Sequence, residues 1–143
     1  MEADSERLDP GRLRGLIATN IGASVAFAAM YSTQPILPQI GHDFHVDAAT
    51  AGLTLLSVTF GLAAASLGAG RVIDRVGSRR SMMTCSVALT VLSALTVVAP
   101  TFPLLVATRA AQGLVVPGII VAGLAYLHND LPARLRGRVS GFY

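Results

Sequence analysis

Apolar and polar residues alternate along this chain in long blocks. Four apolar stretches, separated by short polar segments, lie at about residues 15–38, 48–69, 81–99 and 103–127. A helix of about 20 apolar residues spans the hydrocarbon core of a bilayer. The pattern therefore predicts an all-α integral membrane protein with four transmembrane helices. Residues 1–14 are predicted to form a polar tail, and residues 15–143 a helical bundle.

Composition narrows the function classes. The chain is 52% hydrophobic and 13% charged, which is far less charge than a soluble domain carries. A nucleic-acid partner is not expected, because basic residues need a soluble scaffold to form a phosphate-binding surface. A single cysteine, Cys85, excludes an internal disulfide, and the three histidines have no ligand spacing. We expect no metal site, no cofactor and no enzymatic activity.

The arginines predict the orientation of the chain. All eleven basic residues are arginine, and ten of them lie in three polar segments, at residues 1–14, 70–80 and 128–138. The intervening segments, 39–47 and 100–103, contain none. By the positive-inside rule, the three arginine-rich segments are cytoplasmic and the other two lie outside.

The first apolar stretch allows an alternative. Arginines precede it, and Ala26-Phe27-Ala28 fits the small-x-small cleavage pattern of a signal peptide. The apolar run continues past that site and three more spans follow, so a transmembrane helix is favoured. Pro35 and Pro38 are predicted to bend or end this helix.

The first span also carries a polar stripe. At 100° per residue its members lie within roughly 80° of one another on a helix. Such a stripe faces lipid only at high cost, so it is predicted to face other helices or a cavity. The stripe consists of Asn20, Ser24, Tyr31 and Gln34. In the second span, small residues predict a close approach of helix backbones, at Gly61, Ala65, Gly68 and Ala69.

Residues 70–80, between the second and third spans, are predicted to form a tight, glycine-bounded turn. Gly77 can adopt a positive φ and so reverse the chain. Asp74 could pair with Arg75 or Arg79, or accept hydrogen bonds at a neighbouring helix N-terminus. The alternative is a turn whose arginines merely retain it in the cytoplasm.

The spacing in this segment resembles the signature loop between the second and third helices of the major facilitator superfamily. The matching positions are Gly70, Asp74, Arg75, Gly77 and Arg79. There are departures from the family's pattern. Ser78 stands where that family usually has a basic residue, with the basic pair following at Arg79 and Arg80, and Val72 replaces the usual leucine. The resemblance implies that the aspartate latches the two halves of a transporter and is released during alternating access.

Arg109 lies inside the fourth span, where an arginine costs about 2.5–3.5 kcal/mol on insertion scales. Gln112, three residues on, shares its helix face. Together with Gly113 they form an Arg-x-x-Gln-Gly pattern that resembles the family's fourth-helix motif, although Val115 stands where that motif has a small residue. The resemblance implies that the arginine takes part in proton coupling.

Two alternatives remain for Arg109: it snorkels outward, or it pairs structurally with a neighbour. The four spans contain no Asp or Glu. We therefore expect its partner to be a carbonyl, the polar stripe, water or a residue in further helices. Further along the same span, Pro117-Gly118 is predicted to break the helix locally.

As a whole, the chain resembles the first third of a superfamily member, with the start of a fifth helix after Pro132. Residues 31–38 further resemble a bacterial subgroup of arabinose or drug efflux permeases. The resemblance implies proton-coupled efflux of a small solute by alternating access, in a bacterial-type cytoplasmic (inner) membrane. The implied partners are the bilayer, the solute, protons and the remaining helices, in cis or in trans. The implied proton or substrate pathway comprises Arg109, Gln112, Gly113, Asn20, Tyr31 and Gln34.

Other function classes fit parts of this pattern. A non-transporting membrane scaffold or binding protein, or an inactive truncated product, would show the same hydrophobic pattern. A four-helix multidrug transporter acting as a dimer would need a carboxylate within the membrane. The four spans provide none.

Overall fold

The computed structural model describes residues 10–130 and places them in six helices. These are α1 (Pro10–Tyr31), α2 (Leu37–Asp43), α3 (Ala48–Ala51), α4 (Leu53–Val76), α5 (Ser78–Val97) and α6 (Phe102–Asp130). The predicted tail at residues 1–14 is wrong for its last five residues, because α1 already begins at Pro10. The rest of that tail and the predicted start of a fifth helix lie outside the described residues.

The prediction of an all-α membrane protein is confirmed. Within the described residues, three helical segments are long and apolar enough to cross a membrane, at Ala48–Val76, Ser78–Val97 and Phe102–Ala125. The apolar part of α1, Ile17–Tyr31, is shorter. The whole of α1 has 22 residues, which corresponds to a length of about 33 Å.

Helix α6 is central to the described bundle and packs against α4, α5 and α1. Its crossing with α4 is a contact between backbones: a Cβ on Gly113 would overlap the carbonyl oxygen of Val58, and a Cβ on Gly61 would overlap that of Ala110. Small residues permit this approach, as predicted for Gly61. Gly68, for which the sequence predicts the same approach, has no neighbouring helix within 4 Å of its Cβ position among the described residues.

The opposite side of α6 packs against α1 and α5. A buried apolar cluster joins the three helices, formed by Ala26, Leu89, Val116 and Ile119. Cys85 packs against this cluster, and its sulfur occupies the space that a Cβ on Gly118 would need. Cys85 is therefore a packing residue of this interface.

The predicted break at Pro117-Gly118 is wrong. Pro117 lies inside α6, which runs as one helix from Phe102 to Asp130. Proline removes one backbone hydrogen bond, and a helix tolerates that loss where neighbouring protein covers the freed carbonyl. Pro117 is buried, so this condition is met.

The intervening segment at 39–47 contains most of α2. Pro38 stands in the first helical turn, where a missing N–H costs nothing. Ile40 is buried with Ala51 and Leu105, and Phe44 packs edge-to-face on Phe102 with ring centroids 5.9 Å apart. The side chains of this apolar face lie one turn apart, so a helix buries them together and a loop would not.

Asp47 begins α3 as its N-cap. Its carboxylate accepts a hydrogen bond from the Thr50 amide at 3.2 Å. The hydrogen bonds from Thr50 lower the pKa of Asp47 below its usual value, because they favour the charged form.

The predicted end of the first helix near Pro35 and Pro38 also agrees with the structure, since α1 ends at Tyr31.

Candidate functional site

The Arg109 side chain is fully buried, with 0% of its surface exposed. It projects from α6 toward the end of α1. Its Nη1 donates to the carbonyl oxygen of Ala29 at 2.9 Å and to Oε1 of Gln112 at 2.8 Å. Its Nη2 donates to Oγ1 of Thr33 at 2.9 Å. The same nitrogen also donates to the carbonyl oxygen of Met30. The buried Nε has no acceptor among the described residues.

The two carbonyls belong to the last turn of α1. Carbonyls there lack the usual partner four residues on, and they carry the negative end of the helix dipole. Arg109 therefore caps the C-terminal end of α1 from a neighbouring helix. This arrangement stabilises a membrane-buried cation without a carboxylate.

This geometry excludes one of the alternatives for Arg109. The side chain does not snorkel outward, because it is fully buried among the described helices. Two of its hydrogen-bond acceptors are backbone carbonyls of α1, which are among the partners expected from the sequence. Gln112 lies on the same face, as predicted, and provides another.

A second hydrogen bond connects the site to α5. Nε2 of Gln112 donates to Oγ of Ser93 at 3.2 Å. Ser93 and Ala29 both line a cavity of about 330 Å³ between α1, α5 and α6, whose wall is mostly apolar. The network thus runs from the end of α1, through α6, to a cavity-lining hydroxyl on α5.

The polar stripe lies beside this site. Tyr31 and Gln34 are exposed in the described chain and do not bond to Arg109, whereas Asn20 is partly buried. The hydroxyl that reaches Arg109 belongs to Thr33, which the sequence reasoning did not select. The signal for it is the helix period, since Thr33 continues the buried face of Thr19, Ala23, Ala26 and Met30.

Gly113, the third residue of the fourth-helix pattern, lies on a different contact. It is buried where α6 crosses α4, and its missing side chain admits the Val58 carbonyl. Arg109 and Gln112 therefore face α1 and α5, while Gly113 faces α4.

The junction between α4 and α5 is shorter than the predicted turn. Helix α4 continues to Val76 and α5 begins at Ser78, so Gly77 alone separates them. Residues 70–76 are helical because no proline interrupts them and Gly70 is tolerated in a helix interior at modest cost. Gly77 has φ 91°, which confirms its predicted positive φ.

The charged residues of this junction are exposed. They are Asp74, Arg75, Arg79 and Arg80. Within the described part of the chain Asp74 forms no ion pair, so neither of its suggested pairings with Arg75 and Arg79 is present. The carboxylate is available to a partner outside these helices.

The sequence profile of the Major Facilitator Superfamily matches residues 19–143. The chain belongs to the major facilitator superfamily. The match includes both the Asp74 junction and the Arg109 site, so the two candidate sites lie in the family's own sequence pattern. Family membership and the apolar helices together show that this is a multi-pass membrane protein.

Two curated relatives illustrate the likeness. The MFS-type transporter YybF of Bacillus subtilis (strain 168) is 29% identical over 117 residues, which are 82% of this chain and 29% of that protein. The inner membrane transport protein YnfM of Escherichia coli (strain K12) is 26% identical over 126 residues, 88% of this chain and 30% of its own. The chain thus spans less than a third of the length of these relatives. No solved structure matches it.

Proposed function

We propose that this chain is the first part of a secondary active transporter that exports a small solute in exchange for protons by alternating access. Family membership and the names of the two relatives support transport. The observation that carries the proton-coupled form of the proposal is the Arg109 site. Its buried positive charge is held by carbonyl, hydroxyl and amide oxygens, all of them neutral.

Neutral acceptors suit a coupling role for a physical reason. A carboxylate that loses its proton binds a guanidinium roughly twice as strongly as a neutral acceptor does. In this proposal a titrating carboxylate in the remaining helices competes with these neutral acceptors for Arg109 when it is deprotonated, and stops competing when it is protonated. The resulting movement of α1 relative to α6 would link proton binding to the change of access.

The direct test is solute flux in membrane vesicles that contain the transporter built on this segment. An imposed pH gradient is expected to drive solute movement, and a protonophore is expected to stop it. Equal flux before and after the gradient is collapsed would contradict proton coupling, whatever solute is carried.

Asp74 is proposed to act in the conformational change, since its carboxylate is exposed and unpaired among the described residues. Asp74→Asn should insert normally and reduce the transport rate about tenfold, the loss expected for one charge-assisted hydrogen bond. The measurement is solute flux per inserted protein. Asp43→Asn, which neutralises an exposed carboxylate on α2, is the control and should transport normally. Equal rates in the two variants would reduce the junction to a topogenic element.

In the proposed topology the chain lies in a bacterial-type inner membrane. Helix α2 lies on its outer side, and the α4–α5 junction lies on its cytoplasmic side. In a Cys85→Ala background, a cysteine at Asp43 should react with an impermeant maleimide in intact cells, whereas a cysteine at Arg79 should not. Both positions are exposed, so accessibility alone does not distinguish them. Labelling of the Asp43 position only after lysis would invert the topology.

A further inference from the structure

Gln112 stands between the buried guanidinium and a hydroxyl of another helix. Its Oε1 accepts from Arg109 at 2.8 Å, and its Nε2 donates to Oγ of Ser93 at 3.2 Å. A carboxamide has one acceptor end and one donor end, and rotation by 180° exchanges them. The guanidinium has donors only, so the flipped amide would set donors against donors.

We propose that Ser93 is a positioning residue for Arg109. The donor-only guanidinium selects the orientation of the Gln112 amide, and the Ser93 hydroxyl, by accepting from Nε2, holds the amide in place in that orientation. Gln112 in turn keeps Nη1 of Arg109 beside the Ala29 carbonyl. The importance of this alignment for transport rests on the proposed function of Arg109; the alignment itself does not.

Neighbouring hydroxyls on α5 are hydrogen-bonded to their own helix. Thr90 donates to the Ser86 carbonyl of its own helix, and Thr96 donates to the Leu92 carbonyl. Ser93 is the cavity-lining hydroxyl that accepts a bond from the Arg109–Gln112 pair within the described residues. It is also partly buried at the cavity wall, so Ser93→Ala removes an oxygen without crowding a neighbour.

The alignment can be measured without transport. In the full chain in detergent micelles, ¹⁵N-arginine spectra report the exchange of side-chain N–H protons with water. Burial of Arg109 is expected to protect its side-chain signals, which are assigned by their loss in Arg109→Lys. Ser93→Ala should speed their exchange about fivefold, the effect of one neutral hydrogen bond. Ser93→Thr retains the hydroxyl and should restore the wild-type exchange.

Two controls separate positioning from general loosening. Ser86→Ala removes a hydroxyl from the same cavity wall and should leave the exchange of Arg109 unchanged. In a Gln112→Glu background both side-chain oxygens accept, so no orientation has to be held and Ser93→Ala should have no effect. Wild-type exchange in Ser93→Ala, or the same acceleration in the Gln112→Glu background, would overturn the proposal.

Solute flux in vesicles separates this proposal from the proposed function. We expect flux to fall in Ser93→Ala and to recover in Ser93→Thr. Faster exchange in Ser93→Ala together with normal flux in Arg109→Ala would uphold the alignment and refute the transport role of Arg109. Unchanged exchange in Ser93→Ala together with no flux in Arg109→Ala would refute the alignment alone.

Discussion

Arg109→Ala is expected to abolish proton-driven solute flux while the protein still inserts in the membrane. The substitution removes the guanidinium donors to the Ala29 and Met30 carbonyls, so the end of α1 loses these hydrogen bonds to α6. Insertion is expected to proceed, because alanine removes a charge that costs about 2.5–3.5 kcal/mol within the membrane. The measurement is flux in vesicles, normalised to the amount of inserted protein.

Arg109→Lys separates charge from geometry. Lysine keeps the positive charge but offers three donors on one nitrogen, in place of a planar fork. It cannot serve Thr33, Gln112 and the α1 carbonyls together, so we expect flux to fall by about tenfold or more, the effect of one or two lost charge-assisted hydrogen bonds. The control is Arg14→Ala, an exposed arginine on α1. Wild-type flux in Arg109→Ala would leave this arginine a purely structural role.

The second large effect is expected at the α4–α6 crossing. Gly113→Ala should destabilise the bundle by about 3 kcal/mol, the upper range for overpacking, because the added Cβ meets the backbone of α4 at Val58. Backbone atoms cannot rotate aside as a flexible side chain does, so the helices must move apart. Thermal unfolding of the purified chain in detergent measures this loss.

Gly68→Ala is the matched control for that substitution. It lies on α4 and has open space around its Cβ position, so it should raise stability by about 0.5–1 kcal/mol through helix propensity. Equal melting temperatures for Gly113→Ala and Gly68→Ala would show that α4 and α6 do not cross at Gly113.

Several features of this fold could be predicted from local rules. The apolar blocks predicted an all-α membrane protein, because span length is set by bilayer thickness. The helix period placed Arg109 and Gln112 on one face, and the structure joins them at 2.8 Å. The positive φ of Gly77 followed from a short connection between two long helices.

Other features depend on tertiary contacts that the sequence pattern does not reveal. The partners of Arg109 at Ala29 and Met30 are backbone carbonyls, which every residue carries, so no side chain marks them. The continuity of α6 through Pro117 depends on burial by neighbouring helices. Helix α2 forms because Ile40 and Phe44 find apolar partners on distant segments.

The central claim is that backbone carbonyls at the end of α1 hold Arg109, and replacing one amide bond by an ester tests it most directly. An α-hydroxy acid in place of Tyr31 weakens the Met30 carbonyl as an acceptor and leaves the side chain unchanged. The control places an ester at Ala28, which weakens the Phe27 carbonyl. Like the ester at Tyr31, it removes one backbone N–H from the helix. The account predicts reduced proton-driven flux for the ester at position 31 and normal flux for the ester at position 28. Equal flux in the two proteins would contradict it.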